Sequence, residues 1–141
     1  MKNLFLDTDV ILDYFFNREP HYTEILALFD WAIENDIQLY ASALIYANLY
    51  YILAKNKGKA EAKSNLISLT SVVKILPVSA NSISLALNSS MPDFEDAIQF
   101  FNAVESRMEC IITRNKKDYK QSYLPVLDAG QFLELMGQNR K

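Results

Sequence analysis

Acidic and amide residues are spaced along this chain in a way that could support hydrolysis. Asp7 directly follows the apolar run Leu4-Phe5-Leu6, and Asp9 stands two residues on. A carboxylate ending a buried strand is costly unless it is paired or hydrogen-bonded, so Asp7 points to function. Asp9 reads first as the N-cap of the next helix. Asp93 and Asp96 lie three apart at the start of a later helix. They read either as a capping box or as two carboxylates facing one side of a positive helix end. Thr113-Arg114-Asn115, with Asp118 close by, follows the apolar run Cys110-Ile111-Ile112. A solvated turn explains these residues equally well. Asn48 interrupts the apolar stripe Leu44, Ile45, Leu49, Ile52. A buried amide needs partners, so Asn48 either braces the core or points into a polar site.

Other chemistries lack their residues. His21 is the one histidine and Cys110 the one cysteine, and no GxGxxG, P-loop or CxxC pattern occurs. Catalysis here would be carboxylate-and-metal chemistry, and clustered oxygen donors suit Mg²⁺ or Mn²⁺.

The elements that must position these groups alternate. Apolar strands are expected at Leu4–Leu6, Ile37–Ala41, Val72–Leu76, Cys110–Thr113 and Pro125–Leu127. Helices are expected over 10–16, 22–34, 43–55, 59–70, 79–88, 93–108 and 129–136. Ser42 and Asp128 are placed to cap helices and Gly58 to end one. This alternation predicts an α/β fold with a short central parallel sheet flanked by helices. In such sheets ligands bind at the carboxyl ends of strands, where Asp7 and Thr113 fall.

The 141 residues suit a single domain, 1–141. Half are apolar and 12% aromatic, enough for a core, and three Gly and four Pro argue against long linkers. A lone, buried Cys110 fits a reducing compartment. The opening residues are too poor in apolar character for a signal peptide, and no run approaches the ~18 apolar residues of a membrane span. A soluble, cytoplasmic protein is expected, with no membrane partner. The net charge of −3 argues against broad electrostatic nucleic-acid binding but leaves room for a local basic rim.

In order along the chain, these segments resemble the motifs of the PIN-domain family, metal-dependent nucleases that include VapC-type toxins. Phe5-Leu6-Asp7-Thr8-Asp9-Val10-Ile11-Leu12-Asp13 is similar to the first motif and Ala41-Ser42-Ala43-Leu44-Ile45-Tyr46-Ala47-Asn48-Leu49 to the second. Asp93-Phe94-Glu95-Asp96-Ala97 is similar to the third, and Ile112-Thr113-Arg114-Asn115-Lys116-Lys117-Asp118-Tyr119 to the fourth. The departure is Asn48, where the family pattern has Glu.

The resemblance implies a three-layer PIN-like sandwich and an Mg²⁺- or Mn²⁺-dependent endoribonuclease acting on single-stranded or looped RNA, as the toxin of a toxin–antitoxin pair. It implies a cognate antitoxin and a homodimer. Asp7 and Asp96, with Asp93, would hold metal. Asn115 and Asp118 would complete the catalytic set, supported by Thr8, Asn48 and Thr113. Arg114, Lys116, Lys117 and Lys120 would hold RNA phosphates, against the plain alternative of a solvated lysine-rich turn.

Three rivals stand beside this reading. A non-catalytic PIN module binding RNA or a protein partner is the one Asn48 favours. Asp7-Thr8-Asp9-Val10 nearly matches the nucleophile motif of haloacid-dehalogenase-type phosphatases, but there the Thr/Ser strand precedes the late acid pair, whereas Asp93 and Asp96 precede Thr113. A response-regulator receiver needs an Asp ending the third strand, which Val73-Lys74-Ile75-Leu76-Pro77 does not offer.

Overall fold

A computed structural model describes residues 1–137. Residues 138–141, at the end of the expected domain, lie outside that description. Five strands form one sheet: β1 (Asn3–Leu6), β2 (Gln38–Ser42), β3 (Val73–Leu76), β4 (Cys110–Ile112) and β5 (Val126–Leu127). All neighbours are parallel, in the order β3-β2-β1-β4-β5. Leu4, Phe5, Leu6, Cys110, Ile111 and Ile112 are fully buried. Strands covered on both faces read as continuous apolar runs rather than alternating ones, which is why these two were legible.

Among the described residues, seven α-helices flank the sheet: α1 (Thr8–Phe15), α2 (His21–Glu34), α3 (Ala43–Lys57), α4 (Lys59–Leu69), α5 (Ala80–Leu87), α6 (Phe94–Glu105) and α7 (Ala129–Gly137). They pack as α1 on α2, α2 on α7, α3 on α4 and α5 on α6. Local chemistry sets their ends. Ser42 Oγ accepts from the Ile45 amide at 3.0 Å and Asp128 Oδ1 from Gln131 at 2.7 Å. Gly58 takes φ +89° between α3 and α4, a value that glycine adopts at little cost. α3 carries Lys55 and Lys57 in its last turn, where cations meet the negative helix end.

Two local features differ from expectation. Lys116–Tyr119 forms a 3₁₀ turn after β4. Asp9 is not the N-cap of α1. Asp7 takes that place, accepting from the Thr8 amide, and Asp9 lies inside the first turn.

The strand order matters for the site. The chain moves outward from β1 through β2 to β3, then crosses back to lay β4 on the other side of β1. The order therefore reverses between β1 and β4, the place where ligand crevices open in doubly wound sheets. Leu6 pairs with Ile112 across this junction, so the residues that follow, Asp7 and Thr113, emerge side by side. The Asp7 amide donates to the Ile112 carbonyl at 3.0 Å.

Candidate active site

Asp7 is 9% exposed and fully engaged. One carboxylate oxygen accepts from the Thr8 amide at 2.8 Å. The other accepts from the Tyr119 hydroxyl at 2.9 Å and the Thr113 hydroxyl at 3.1 Å. These bonds favour the ionised form, but burial and the neighbouring Asp9 charge outweigh them and push the Asp7 carboxyl up to about 6. Asp9 Oδ2 accepts from the Arg114 amide at 3.1 Å, the Asn115 side-chain amide at 3.0 Å and the Thr113 hydroxyl at 3.2 Å. Its carboxyl is raised too, chiefly by burial.

Asp96, in the first turn of α6, is half-buried. Its carboxyl is pushed up to about 7, first by burial and then by the charges of Asp93, Asp7, Asp118 and Glu95. Four acids thus crowd one carboxylate, the arrangement that a positive ion relieves.

These groups share a cleft of about 480 Å³ over the carboxyl ends of β1 and β4. Among residues expected from sequence, Asp7, Thr8, Asn48, Asp96, Asn115 and Asp118 line it. Thr113 is fully buried, touching Asp7 and Asp9 through its hydroxyl.

Asn48 points to the cleft rather than bracing the core. It is half-buried and donates to Glu95 Oε2 at 3.2 Å. Asp93 does not line the cleft. Its Oδ1 caps α6, accepting from the Asp96 amide at 2.9 Å. It acts on the site through its charge.

The basic residues after β4 divide. Arg114 turns away from the cleft and grips Asp13, Nε at 2.6 Å and Nη2 at 3.1 Å. Asp13 is fully buried. An ion pair so placed outcompetes exposure to solvent, because leaving Asp13 alone would strand a charge. Lys116 Nζ bonds Gln131 at 2.8 Å and lies 3.5 Å from Asp128. Lys117 and Lys120 are exposed.

Sequence reasoning gave no role to Asp13, Glu95 and Tyr119, although they fall within the resembling segments, and missed the cation Arg18; Glu95 and Arg18 are on the cleft wall. Asp13 carried a signal, since Asp9 and Asp13 lie four apart on one face of α1, and both receive Arg114.

The donors suit a partly hydrated divalent ion. Among the described residues, no three carboxylate, histidine or cysteine side chains stand close enough to cage a metal by themselves. Mg²⁺, however, keeps several waters and takes only one or two carboxylates. The hard oxygens of Asp7 and Asp96, under mutual repulsion, fit that mode.

A family model for the PIN domain matches residues 3–117. The chain is 23% identical over 138 residues to a curated protein named Ribonuclease VapC1 from Aquifex aeolicus, with 94% of each covered. Among solved structures it is similar to FitAcB from Neisseria gonorrhoeae, with a TM-score of 0.68, 22% identity and 90% and 98% of the two chains covered. VapBC-1 from nontypeable Haemophilus influenzae matches with a TM-score of 0.67, 18% identity and coverage of 91% and 98%. VapC20 from Mycobacterium tuberculosis, described as a sarcin-ricin-loop-cleaving toxin, matches with a TM-score of 0.65, 13% identity and coverage of 86% and 96%.

Proposed function

The chain belongs to the PIN-domain family, and from that membership we propose that its acidic cleft hydrolyses phosphodiester bonds of RNA with a divalent cation, Mg²⁺ or Mn²⁺. The observation that carries the proposal is the meeting of Asp7, Asp96 and Asp118 on one cleft. They come from the end of β1, the start of α6 and the turn after β4. The similarity to a ribonuclease along 94% of the chain supports RNA as the substrate.

Asp7 and Asp96 would hold the ion, with Asp118 and Asn115 at the cleft edge orienting water and phosphate. A divalent ion bound there supplies positive charge for the phosphoryl oxygens and makes a water nucleophilic at neutral pH. The protein's own contribution is positional. Thr113 and Tyr119 clamp one oxygen of Asp7 and the Thr8 amide clamps the other, which fixes the carboxylate without a moving part. Asn115 is fixed by its bond to Asp9. Asn48 contributes an amide oxygen or a water-mediated contact, its Nδ2 being committed to Glu95.

The solved relatives named as VapBC and FitAcB support a second part of the proposal, that this chain is the toxin of a toxin–antitoxin pair; the family resemblance adds to it a cytoplasmic homodimer. No helix among the described residues is long and apolar enough to cross a membrane.

The test is metal-dependent cleavage of a single-stranded RNA by the wild type and by Asp96→Asn, with Mn²⁺ binding measured by calorimetry on both. We expect Asp96→Asn to keep its circular dichroism spectrum, lose cleavage and bind Mn²⁺ more weakly. Full cleavage by Asp96→Asn, with contaminating nuclease excluded, overturns the assignment.

A further inference from the structure

We infer that Tyr51 and Arg18 form a nucleotide subsite at the mouth of the cleft, where Tyr51 stacks an unpaired base and Arg18 holds an adjoining phosphate. The inference rests on the nuclease reading for its substrate.

The cleft wall is strongly acidic, and a polyanion entering it meets repulsion before any ion bound at its floor can help. Arg18 is the cation on that wall among the described residues. Its ion pair with Asp13 is long and partly solvated. Its guanidinium lies 3.6 Å from Asp13 with its side chain 43% exposed, and Arg114 already occupies both oxygens of that carboxylate. Arg18 also sits 5.2 Å over the Phe16 ring, which Lys57 approaches at 5.5 Å. Lys57 is anchored to the Phe15 carbonyl at 2.8 Å. The ring thus holds Arg18 in place without neutralising it, since a π-face attracts the cation without accepting its in-plane N–H groups; Nη1 faces Asp13, and Nε and Nη2 remain for a phosphate.

Tyr51 supplies the second half. It lies on the cleft wall yet is 71% exposed. Asn48, Tyr51 and Ile52 are spaced to share one face of α3, so the helix that presents an amide to the carboxylates also presents this ring to the entrance. Tyr50 meets it edge-to-face, with centroids 5.5 Å apart at 74°, and limits its rotation. An exposed ring and a cation lining the same phosphate-processing cleft match what unpaired nucleic acid requires. Every base has a π-face, so stacking tolerates sequence, while a paired base within a duplex cannot offer that face.

The experiment measures binding of a fluorescein-labelled single-stranded RNA, and of the duplex of the same sequence, by fluorescence anisotropy in chelator so that the strand survives. Cleavage in Mg²⁺ is recorded separately. Tyr51→Ala should weaken single-strand binding about tenfold, Tyr51→Phe should bind as wild type, and neither should change duplex binding. Arg18→Ala should lower the slope of log affinity against log salt by about one, and Arg18→Lys should restore it. A 2-aminopurine in the strand should be quenched by the wild type and by Tyr51→Phe but not by Tyr51→Ala. Unchanged affinity in Tyr51→Ala and an unchanged slope in Arg18→Ala overturn the subsite, even if the protein cleaves RNA. Losses in both variants with no cleavage by wild type sustain the subsite and defeat the nuclease reading instead. Failure of wild type to bind single-stranded RNA defeats both.

Discussion

Replacing Arg114 with Ala tests whether this cation serves the fold or the substrate. Its guanidinium makes two bonds, at 2.6 and 3.1 Å, to an Asp13 carboxylate that is fully buried. Breaking a buried pair from one side costs about 3–5 kcal/mol, because the surviving charge is left without compensation. Two observations place the expected loss at the low end. Arg18 stays 3.6 Å from the same carboxylate, and the Arg114 side chain is 29% exposed, so water can enter the gap. A loss of about 3 kcal/mol follows, which for a chain of this length lowers Tm by roughly 9 °C. Urea denaturation followed by circular dichroism gives the stability directly. Adding Asp13→Leu to Arg114→Met should recover most of the loss, since removing both charges removes the stranded one. A loss below about 1 kcal/mol, together with a large fall in RNA affinity, would refute the reasoning and return Arg114 to the phosphate-binding role expected from sequence.

The Asp7 carboxyl, raised from 3.8 to about 6, binds a proton more readily folded than unfolded. Without metal, stability should therefore fall by roughly 3 kcal/mol as pH rises from 4 through 6. Asp7→Asn should reduce this fall by that amount, the raised Asp9 and Asp96 carboxyls keeping their share, and denaturation of both proteins at pH 5 and pH 8 checks the sign. Mg²⁺ should raise the wild-type Tm at pH 8 by more than that of Asp7→Asn, and an equal response in thermal melts would remove Asp7 from the metal site. Asn48→Glu sets a carboxylate against Glu95, so the metal-free protein should lose stability and Mg²⁺ should restore it, with tighter Mn²⁺ binding by calorimetry. Destabilisation that metal does not relieve would show that Asn48 only supports the packing. Lys117→Ala with Lys120→Ala should lower the salt slope of RNA binding by about two if both meet phosphates, and an unchanged slope makes them plain solvated surface.

The architecture was readable where one physical demand ruled. Leu4-Phe5-Leu6 and Cys110-Ile111-Ile112 carry no polar residue because both faces of the central strands are covered. Ser42, Gly58 and Asp128 mark helix ends because orphan backbone groups must be satisfied locally. The cleft was partly readable for the same reason: strand ends place Asp7 and Thr113, and a helix start places Asp96. What was hidden depends on how distant elements face each other. Tyr119 closes the fourth resembling segment, but nothing in the sequence announced that its hydroxyl, from a 3₁₀ turn, reaches Asp7. Arg114 and Lys116 look alike beside Lys117 and Lys120, but buried Asp13 and the α7 start claim the first two. Asn48 alone could brace a core or face a site, and the approach of α6, bringing Glu95, decided for the site.

The crossing-back of β4 onto β1 also has a consequence for synthesis of the chain. Asp7 is made 106 residues ahead of Thr113 and 112 ahead of Tyr119, whose hydroxyls clamp it. β2 and β3 can pair with β1 beforehand, so most of the sheet can form while Asp7 still lacks those partners. A nascent or truncated chain ending before residue 113 therefore carries the acid without its clamp. The clamp on Asp7 is in this way assembled only after the strands on the other side of β1 have been made.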